Sequence, residues 1–464
     1  HRLNCLIRAS LRRTKKIADE SLTAGANGDD DSPRVLVFHP ELKRADQAGS
    51  WRDASSRLEE AVSLTGALDF EVVGAEVVPI AKTRPATLFG TGVVERLGNQ
   101  IKAEEADIVM INGQLSPIQQ RNLEREWKCK VIDRTGLILE IFADRARTRE
   151  GRLQVQLALL SYQKSRLVRT WTHLERQRGG RGFLAGPGER QIEIDRRLIG
   201  DKLAKLRREL EEVKRTRELH REARRRVPYP IVALVGYTNA GKSTLFNQLT
   251  VSDVFAEDML FATLDPTMRG LELPSGRKVI LSDTVGFVSD LPHDLVAAFR
   301  ATLEEVLEAD LIVHVRDASS HEAEAQKLDV LEVLKALGLQ KAIDGEELVE
   351  ALNKCDQLEG EDLTAVQEYS ARNANTIAIS AIKGTNCDAL LALIEDRLTE
   401  DMPVFELLVP YSDGKALARL YEQGEVLKRI DGEDGISVQV RIDDSRVGRF
   451  EDWCAKSGFD LHLV

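Results

Sequence analysis

The chain has 464 residues, of which 42% are hydrophobic and 30% are charged, a composition typical of globular proteins with about three domains. Its net charge of −11 argues against a nucleic-acid binder, but residues 145–226 contain 24 Lys or Arg and only 11 Asp or Glu. Such asymmetry is typical of a chain that presents one surface to a polyanion.

No apolar run reaches the roughly 18–20 residues that span a bilayer. The basic start, HRLNCLIRASLRRTKK, lacks the compact apolar segment of a signal peptide, and its first residue, which is not Met, leads us to expect a truncation. The five scattered cysteines have no metal-ligand spacing and predict reduced thiols. We therefore predict a cytoplasmic protein without stable membrane insertion, with peripheral membrane attachment left open.

Residues 1–32 predict a disordered tail, because they end in the turn-rich run GANGDDDSP. In residues 33–145, β-rich runs alternate with helical patterns, which predicts an N-terminal α/β domain with a parallel sheet. The β-rich runs are 35–38, 70–78, 107–111 and 130–133, and the helical patterns are 51–64, 93–105 and 116–127. The glycine stretch LFGTGVVERLG at 88–98 is better explained as a helix entry than as a second nucleotide site.

Residues 146–228 contain two long helical patterns, each with a narrow apolar seam at alternating spacings of four and three residues. The seams consist of Leu153, Leu157, Leu160, Leu167, Trp171 and Leu174, and of Ile199, Leu203, Leu206, Leu210 and Val213. The glycine-rich stretch GGRGFLAGPGE lies between them, which predicts an antiparallel helical hairpin with this loop at its tip. From charge and spacing alone, the arginines either contact a polyanion or solvate an exposed face.

Residues 229–401 begin with the apolar strand IVALV, the loop GYTNAGKS and the helical run LFNQL, which together match a phosphate-binding P-loop. Its glycines let backbone N–H groups point at phosphate oxygens, Lys242 supplies a positive charge, and the Ser243 hydroxyl is a ligand for Mg²⁺. The predicted phosphate-binding residues are Gly236, Tyr237, Thr238, Asn239, Ala240, Gly241, Lys242, Ser243 and Thr244.

Three further motifs each follow a β-rich run in the same region. In DTVGF, Asp283 would hold the Mg²⁺ ion through its water shell, and in NKCD the carboxylate of Asp356 would accept two hydrogen bonds from guanine. Asn353 would tether the loops and Lys354 would lie along the base. The complete predicted sets are Asp283, Thr284, Val285, Gly286 and Phe287 for switch II, and Asn353, Lys354, Asp356, Ser380, Ala381 and Ile382 for guanine binding. This order of motifs predicts a Rossmann-like P-loop domain that binds GTP and GDP.

Switch I is predicted in FATLDPT, at Phe261, Ala262, Thr263, Leu264 and Asp265. Thr263 is favoured over Thr267 as the residue that reaches Mg²⁺ and the γ-phosphate, and either could instead be a turn residue before Pro266. Many GTPases orient the attacking water with a glutamine at the position of Phe287, so slow hydrolysis is expected unless a partner or a monovalent cation completes the site. Asn239 either binds such a cation, for which K⁺ is the candidate, or stabilises the loop.

Residues 402–464 predict a small C-terminal α/β domain, with strands in FELLVP and ISVQVRI and helices in GKALARLYEQG and VGRFEDWCAK. No residues in this domain form a recognisable catalytic or binding set. The sequence as a whole therefore predicts a multidomain α/β fold.

From about Arg34 to Glu400 the chain resembles the HflX family of translational GTPases. The resemblance is carried by NGQLSPIQQRNLE, DRTGLILEIFADRARTREGRLQVQLA, GGRGFLAGPGER, GYTNAGKSTLFNQLT, FATLDPTMR and DTVGFVSDLPHDLVAAFR. It implies binding to the large ribosomal subunit and its ribosomal RNA, GTP hydrolysis stimulated by that subunit, and splitting of stalled or idle ribosomes under stress. It also implies a hydrophobic residue at Phe287, supports K⁺ activation through Asn239, and leaves open a secondary ATPase activity of the N-terminal domain.

The resemblance implies that the hairpin tip lies near the peptidyl transferase centre. A glycine-rich tip lets the backbone approach RNA closely, while arginines contact phosphates and Phe183 stacks on an unpaired base. The predicted RNA-binding residues are Arg178, Gly179, Gly180, Arg181, Gly182, Phe183, Gly186 and Arg190.

The chain is expected to be monomeric away from the ribosome, and two alternative functions make different predictions. A GTP-dependent scaffold that dimerises through the helical seams would change mass on nucleotide binding, as seen by light scattering. An RNA-remodelling NTPase that uses the N-terminal domain would keep ATP-driven unwinding after Lys242→Ala.

Overall fold

The structure is a computed structural model that describes residues 32–42, 53–175, 187–224, 229–250, 267–289, 305–345, 348–400, 402–432, 435–442 and 444–463. For 167–193, 195, 214, 216–224 and 444–445 the description is limited to the helical backbone where a helix is assigned. Among the helices in these ranges, none combines the length and the apolar character that crossing a membrane requires.

The N-terminal sheet has four parallel strands in the order β2-β1-β3-β4. These are β1 (Arg34–Leu42), β2 (Glu71–Ile80), β3 (Ile108–Ile111) and β4 (Lys130–Asp133), and the helices of this domain are α1 (Ala54–Gly66), α2 (Thr91–Ala103), α3 (Pro117–Trp127) and α4 (Arg134–Arg145). Helix α2 begins within the glycine stretch at 88–98. The predicted parallel α/β architecture is confirmed, while α4, which follows β4 without a loop, was not predicted from the sequence.

Two long helices follow, α5 (Arg149–Glu175) and α6 (Pro187–Arg224), and they pack against each other. Leu153 and Leu203 of the predicted seams are buried, and Leu206 is half-buried. Helix α5 also packs against α3 and α4, so the base of the hairpin is attached to the N-terminal domain.

The second sheet has the strand order β10-β9-β8-β5-β7-β6, in which all pairs are parallel except β6 with β7. Its strands are β5 (Ile231–Val235), β6 (Thr267–Glu272), β7 (Lys278–Asp283), β8 (Leu311–Asp317), β9 (Leu348–Asn353) and β10 (Thr376–Ala378). Its helices are α7 (Lys242–Thr250), α8 (Ala323–Ala336), α9 (Gln340–Asp344), α10 (Gly360–Arg372) and α11 (Cys387–Thr399). Strands β5 and β8 lie in the middle of the sheet, which explains why β5 reads as a continuous apolar run and why β8 is buried along most of its length.

The C-terminal domain has an antiparallel sheet in the order β12-β13-β11-β14. The strands are β11 (Val404–Val409), β12 (Glu425–Asp431), β13 (Ile436–Arg441) and β14 (His462–Leu463), and the helices are α12 (Gly414–Gln423) and α13 (Asp444–Ser457). The multidomain α/β fold class predicted from the sequence is confirmed.

One hydrophobic cluster connects the N-terminal domain with the second sheet. It contains Ile138 and Phe142 of α4 together with Tyr237, Phe287 and Val288, and all five side chains are at most 5% exposed. Tyr237 and Phe287 belong to the P-loop and to switch II, so the surroundings of the predicted nucleotide site include residues of the N-terminal domain.

Candidate nucleotide-binding site

The loop 236–241 joins β5 to α7 and follows a path that only glycine permits at two positions. At Gly236, with a φ of +153°, a Cβ atom would lie 2.2 Å from the carbonyl oxygen of Val315. At Gly241, with a φ of +89°, it would lie 2.2 Å from Nδ2 of Asn353. The loop therefore fits closely between the ends of β8 and β9, with its backbone N–H groups near the N-terminus of α7.

Lys242 lies beneath this loop, with 6% of its surface exposed. Its Nζ donates hydrogen bonds to the carbonyl oxygens of Gly236, at 3.1 Å, and Tyr237, at 2.8 Å. Burial lowers the pKa of the Lys242 ammonium to about 8, although the nearby carboxylate of Asp283 opposes this shift. The protein thus holds a cation at a helix N-terminus, which is an arrangement suited to phosphate groups.

Because phosphate oxygens stabilise the charged lysine, we expect nucleotide binding to raise the lowered pKa of Lys242 and to take up a proton in alkaline solution. The bound state then holds more protons than the free state above pH 8, so GDP affinity should fall as the pH rises from about 8 to about 9. At about pH 8.5, GDP binding should therefore take up protons, measured by calorimetry in buffers of different ionisation enthalpy.

The matched control for this experiment is Lys242→Arg, whose guanidinium stays charged throughout the range. Proton uptake by this variant should be smaller by the amount that Lys242 contributes. The difference between the two chains therefore separates the contribution of Lys242 from the titration of the guanine base. Equal proton uptake by the two chains would contradict the assignment to Lys242.

The Ser243 hydroxyl and the Asp283 carboxylate come together at the ends of α7 and β7. Ser243 Oγ donates a hydrogen bond to Asp283 Oδ2 at 2.7 Å, and Asp283 is fully buried. Hydroxyl and carboxylate oxygens beside a phosphate site are the ligand types that Mg²⁺ prefers, so these residues fit that ion. Thr263 lies outside the described residues, whereas Thr267 begins β6 and is paired with Asp283 in the sheet register.

Switch II continues from β7 and lies directly against the P-loop. The backbone N–H of Phe287 donates to the carbonyl oxygen of Gly236 at 3.0 Å, and its carbonyl oxygen accepts from the N–H of Thr238 at 2.8 Å. A Cβ atom on Gly286 would lie 2.9 Å from Thr238 Cα and 3.1 Å from Lys242 Nζ. The backbone of Gly286 therefore passes next to the lysine, where outer phosphates are expected.

Beyond Asp283, the side chains of switch II are buried in the protein. Thr284 Oγ1 donates to the carbonyl oxygen of Leu234 at 2.6 Å, and Val285 is buried. The ring of Phe287 is 1% exposed and belongs to the cluster shared with the N-terminal domain. The position that often carries a water-orienting glutamine is thus used here for packing between domains.

Asn353 connects the P-loop to the SAIKG loop at the carboxyl end of β9. Its Nδ2 donates to the carbonyl oxygen of Ala240 at 2.9 Å, and its Oδ1 accepts from the N–H of Ala381 at 2.9 Å. One buried amide side chain therefore fixes the distance between the phosphate side and the base side of the site.

Asp356 and Lys354 lie where the sequence predicts the guanine base. Ser380 Oγ donates to Asp356 Oδ1 at 2.6 Å, which orients a carboxylate that can still accept hydrogen bonds from a base. Lys354 has a φ of +64°, and its Nζ forms an ion pair with Asp317 Oδ2 at 2.8 Å. This pair holds the lysine stem across the end of β8.

The structure describes some of the remaining predicted residues but not others. Asn239 is exposed with a φ of +59°, Thr244 lies in α7, and Ile382 is 73% exposed at the rim of the base side. The switch I residues 261–265 and the tip residues 178–186 lie outside the described residues, and Arg190 is described only as helical backbone.

Four polar residues at the site were not identified from the sequence. Asp317 could have been found, because it ends the strand LIVHVRD at the edge where the motifs meet. Glu60, Arg134 and Ser289 approach the site from outside the motifs, through hydrogen bonds to Tyr237 or among themselves. Their positions depend on contacts between domains, which no local pattern predicts.

A glycine loop over a buried lysine, a serine–aspartate pair and an aspartate oriented by a serine, all at the carboxyl end of a parallel sheet, are the features of a P-loop GTPase. The matching family models are described as GTP-binding GTPase N-terminal (residues 55–143), GTP-binding GTPase Middle Region (145–224), 50S ribosome-binding GTPase (231–354) and HflX C-terminal domain (365–452).

Among curated proteins, the chain is 49% identical to GTPase HflX of Magnetococcus marinus over 413 residues, which is 89% of this chain and 94% of the relative. It is 43% identical to GTPase HflX of Escherichia coli over 389 residues, or 83% and 88% of the two chains. A solved complex of SsGBP with GDP is similar over 79% of this chain and 99% of that one, with 26% identity and a TM-score of 0.46. The chain belongs to the HflX family of GTPases, which confirms the resemblance.

Proposed function

We propose that this chain is a GTP-hydrolysing factor that binds the large ribosomal subunit and its ribosomal RNA and splits stalled or idle ribosomes under stress. The family relationship supports this role, and the family model that matches 231–354 is described as a 50S ribosome-binding GTPase. The predicted residues of the phosphate and guanine sites are part of the proposal, with Mg²⁺ as the metal ion and the cytoplasm as the location.

The observation that carries the proposal is the separation of charge along the hairpin. Helix α6 buries Leu203, and between 196 and 208 it exposes six cationic side chains and one acidic side chain, Asp201. The cationic residues are Arg196, Arg197, Lys202, Lys205, Arg207 and Arg208. The rest of this acidic chain would be repelled by RNA, so an RNA phosphate backbone would be met by the hairpin first. Binding should therefore weaken steeply with salt.

In this role the site residues act on the nucleotide in a fixed geometry. The P-loop N–H groups and Lys242 bind the phosphates. Ser243, directly, and Asp283, through the water shell of the ion, would hold Mg²⁺, which would supply charge that offsets the negative phosphates. The backbone of Gly286 lies beside Lys242 and can respond to a γ-phosphate. The triphosphate then fixes the switches and the posture of the hairpin, and hydrolysis releases both.

Hydrolysis in the free chain should be slow, because the buried ring of Phe287 cannot orient a water molecule. The large subunit is proposed to complete the site, with K⁺ near the exposed Asn239 as a further activator. The proposal extends to a secondary ATPase activity of the N-terminal domain, which predicts ATP turnover that persists after Lys242→Ala.

GTP turnover titrated with purified large subunits, at low and high K⁺, tests this proposal. We expect turnover to rise by at least about tenfold with saturating subunits, because assembly of the site adds transition-state stabilisation. The pair Arg181→Ala and Phe183→Ala should reduce stimulated turnover more than basal turnover, whereas Arg372→Ala on α10 should change neither.

Splitting is tested with a non-hydrolysable GTP analogue and intact ribosomes, which should separate into subunits that retain the factor. Unchanged turnover with large subunits, together with intact ribosomes in the second experiment, would contradict the proposal. A change of mass on GTP binding alone would favour the dimerising scaffold instead.

A further inference from the structure

A polar cluster joins the N-terminal domain to the nucleotide site at the edge of the shared hydrophobic cluster. We call it the junction, and it consists of Glu60 on α1, Arg134 at the start of α4, Tyr237 in the P-loop and Ser289 after switch II. Arg134 Nη2 donates to Glu60 Oε2 at 3.1 Å and to the carbonyl oxygen and Oγ of Ser289 at 3.1 and 3.0 Å.

The two residues from the nucleotide site complete the junction. The Tyr237 hydroxyl donates to the Glu60 carboxylate and accepts from the backbone N–H of Ser289 at 2.9 Å. Ser289 Oγ also lies 3.1 Å from Glu60 Oε2. One carboxylate of the N-terminal domain therefore contacts both the P-loop and the segment that follows switch II.

We propose that Glu60 and Arg134 are positioning residues for GTP hydrolysis: through Tyr237 and Ser289 they hold switch II against the P-loop. The backbone hydrogen bonds of Phe287 lie next to both residues: Phe287 bonds Gly236 and Thr238, the neighbours of Tyr237, and it precedes Ser289 by two residues. The junction therefore keeps Gly286 beside Lys242, where it can sense the γ-phosphate.

Burial makes the junction rigid. The side chains of Arg134 and Glu60 are 6% and 13% exposed, so removal of either partner leaves a charge in a poorly hydrated place. Arg134 is also fixed on its far side, where Nη1 donates to Asn112 Oδ1 at 2.8 Å, at the end of β3. The position of Ser289 is thus defined relative to the N-terminal sheet.

The residue next to Arg134 connects the junction to the helical hairpin. Asp133 Oδ1 accepts from the Tyr162 hydroxyl at 2.5 Å, and Asp133 Oδ2 accepts from Arg166 Nη2 at 2.5 Å, with both partners on α5. Burial raises the pKa of Tyr162, so its hydroxyl remains a donor. A movement of α5 would displace Asp133 and the adjoining Arg134. Because Arg134 bonds Ser289, Ser289 would then shift as well.

This inference deepens the proposed function, and of that function it requires only that the free chain hydrolyses GTP. The first test compares kcat and GDP affinity in Tyr237→Phe, which removes one hydroxyl and keeps the buried ring, in Glu60→Gln, and in the double variant. Each single variant should lower kcat by about tenfold or more, because switch II is then held less firmly beside Lys242. GDP affinity should change by less than about threefold.

The double variant should lose little more than either single variant, because both substitutions act on the contact between Tyr237 and Glu60. Arg372→Gln, which breaks the exposed ion pair with Glu368, is the matched control and should keep the wild-type kcat. If Glu60→Gln does not fold, Tyr237→Phe alone decides the result. Unchanged or raised kcat, or an equal loss of kcat and GDP affinity, would overturn the positioning role.

The second test measures hydrogen exchange of backbone amides in α5 around Tyr162, with GDP and with a non-hydrolysable GTP analogue. Coupling between sites is reciprocal, so exchange in the wild type should differ between the two nucleotides, and Tyr237→Phe and Tyr162→Phe should each remove the difference. An absent difference in the wild type, or one that persists in both variants, would overturn the connection to the hairpin. No ribosome takes part, so these results are independent of those that test ribosome splitting.

Discussion

Asp356→Asn should convert this chain from a guanine-specific to a xanthine-preferring nucleotide-binding protein. Guanine presents two adjacent N–H donors, and a carboxylate accepts from both, whereas an amide has one acceptor and one donor. Xanthine carries an oxygen in place of the guanine amine, so its pattern matches the amide. Ser380 Oγ, 2.6 Å from Asp356 Oδ1, can donate to the amide oxygen equally well and should hold the new side chain in place.

We expect GDP affinity to fall by about a thousandfold in Asp356→Asn, since a site built to bond a polar group strongly rejects a mismatched partner. Xanthosine diphosphate should bind the variant better than GDP does, as measured by competition against a fluorescent nucleotide. Asp362→Asn, at an exposed position on α10, makes the same change of charge and should leave the preference for GDP intact. A gain of xanthosine binding cannot arise from misfolding, and a variant that still prefers GDP would refute the role of Asp356.

The sequence predicted those parts of the site that depend on local structure. Each motif follows a strand in a parallel sheet, and the carboxyl ends of such strands meet at one edge, so GYTNAGKS and NKCD could be placed together before the fold was known. Strand β6 was missed, because TMRGLE is short, partly exposed and lies at the sheet edge. Helix α4 was missed because Asp133 both ends β4 and caps the helix, through the N–H of Gly136 at 2.8 Å.

Contacts between domains could not be predicted in this way. Glu60 lies on an amphipathic helix and resembles any half-exposed glutamate in the sequence. Arg134 did carry one signal, because a cation at a helix N-terminus is unfavourable next to the helix dipole, and such a position needs a compensating partner. The structure supplies that partner as Glu60, 3.1 Å away.

The sequence shows what the Phe287 ring cannot do in hydrolysis, and the structure shows what the ring does instead. A phenyl ring cannot hold the attacking water, and the sequence therefore predicts slow hydrolysis. The structure adds that this ring is buried in the cluster with Ile138 and Phe142, while its backbone bonds the P-loop. Phe287 thereby anchors switch II to the N-terminal domain, at a position where many GTPases have a glutamine that orients the attacking water.

Gly286→Ala tests whether this close fit of switch II against the P-loop is required for hydrolysis. A methyl group there would lie 2.9 Å from Thr238 Cα and Cγ2, and the backbone cannot yield without breaking the bonds of Phe287 to the loop. Switch II should therefore move away from Lys242, and the Gly286 N–H should no longer meet the γ-phosphate. Loss of one such donor costs about 10²–10³ in rate, so kcat should fall by at least about a hundredfold.

GDP affinity should remain within about threefold, because the methyl group disturbs the γ-phosphate side and leaves the Asn353 and Asp356 contacts unchanged. Gly270→Ala is the matched control, since Gly270 is exposed in β6 and a methyl group there meets no atom within 4 Å. Single-turnover hydrolysis and GDP titration of both variants separate the outcomes. If Gly286→Ala hydrolyses GTP at the wild-type rate, the contact between switch II and the P-loop is not part of the active arrangement, and the junction that holds it would have no catalytic purpose.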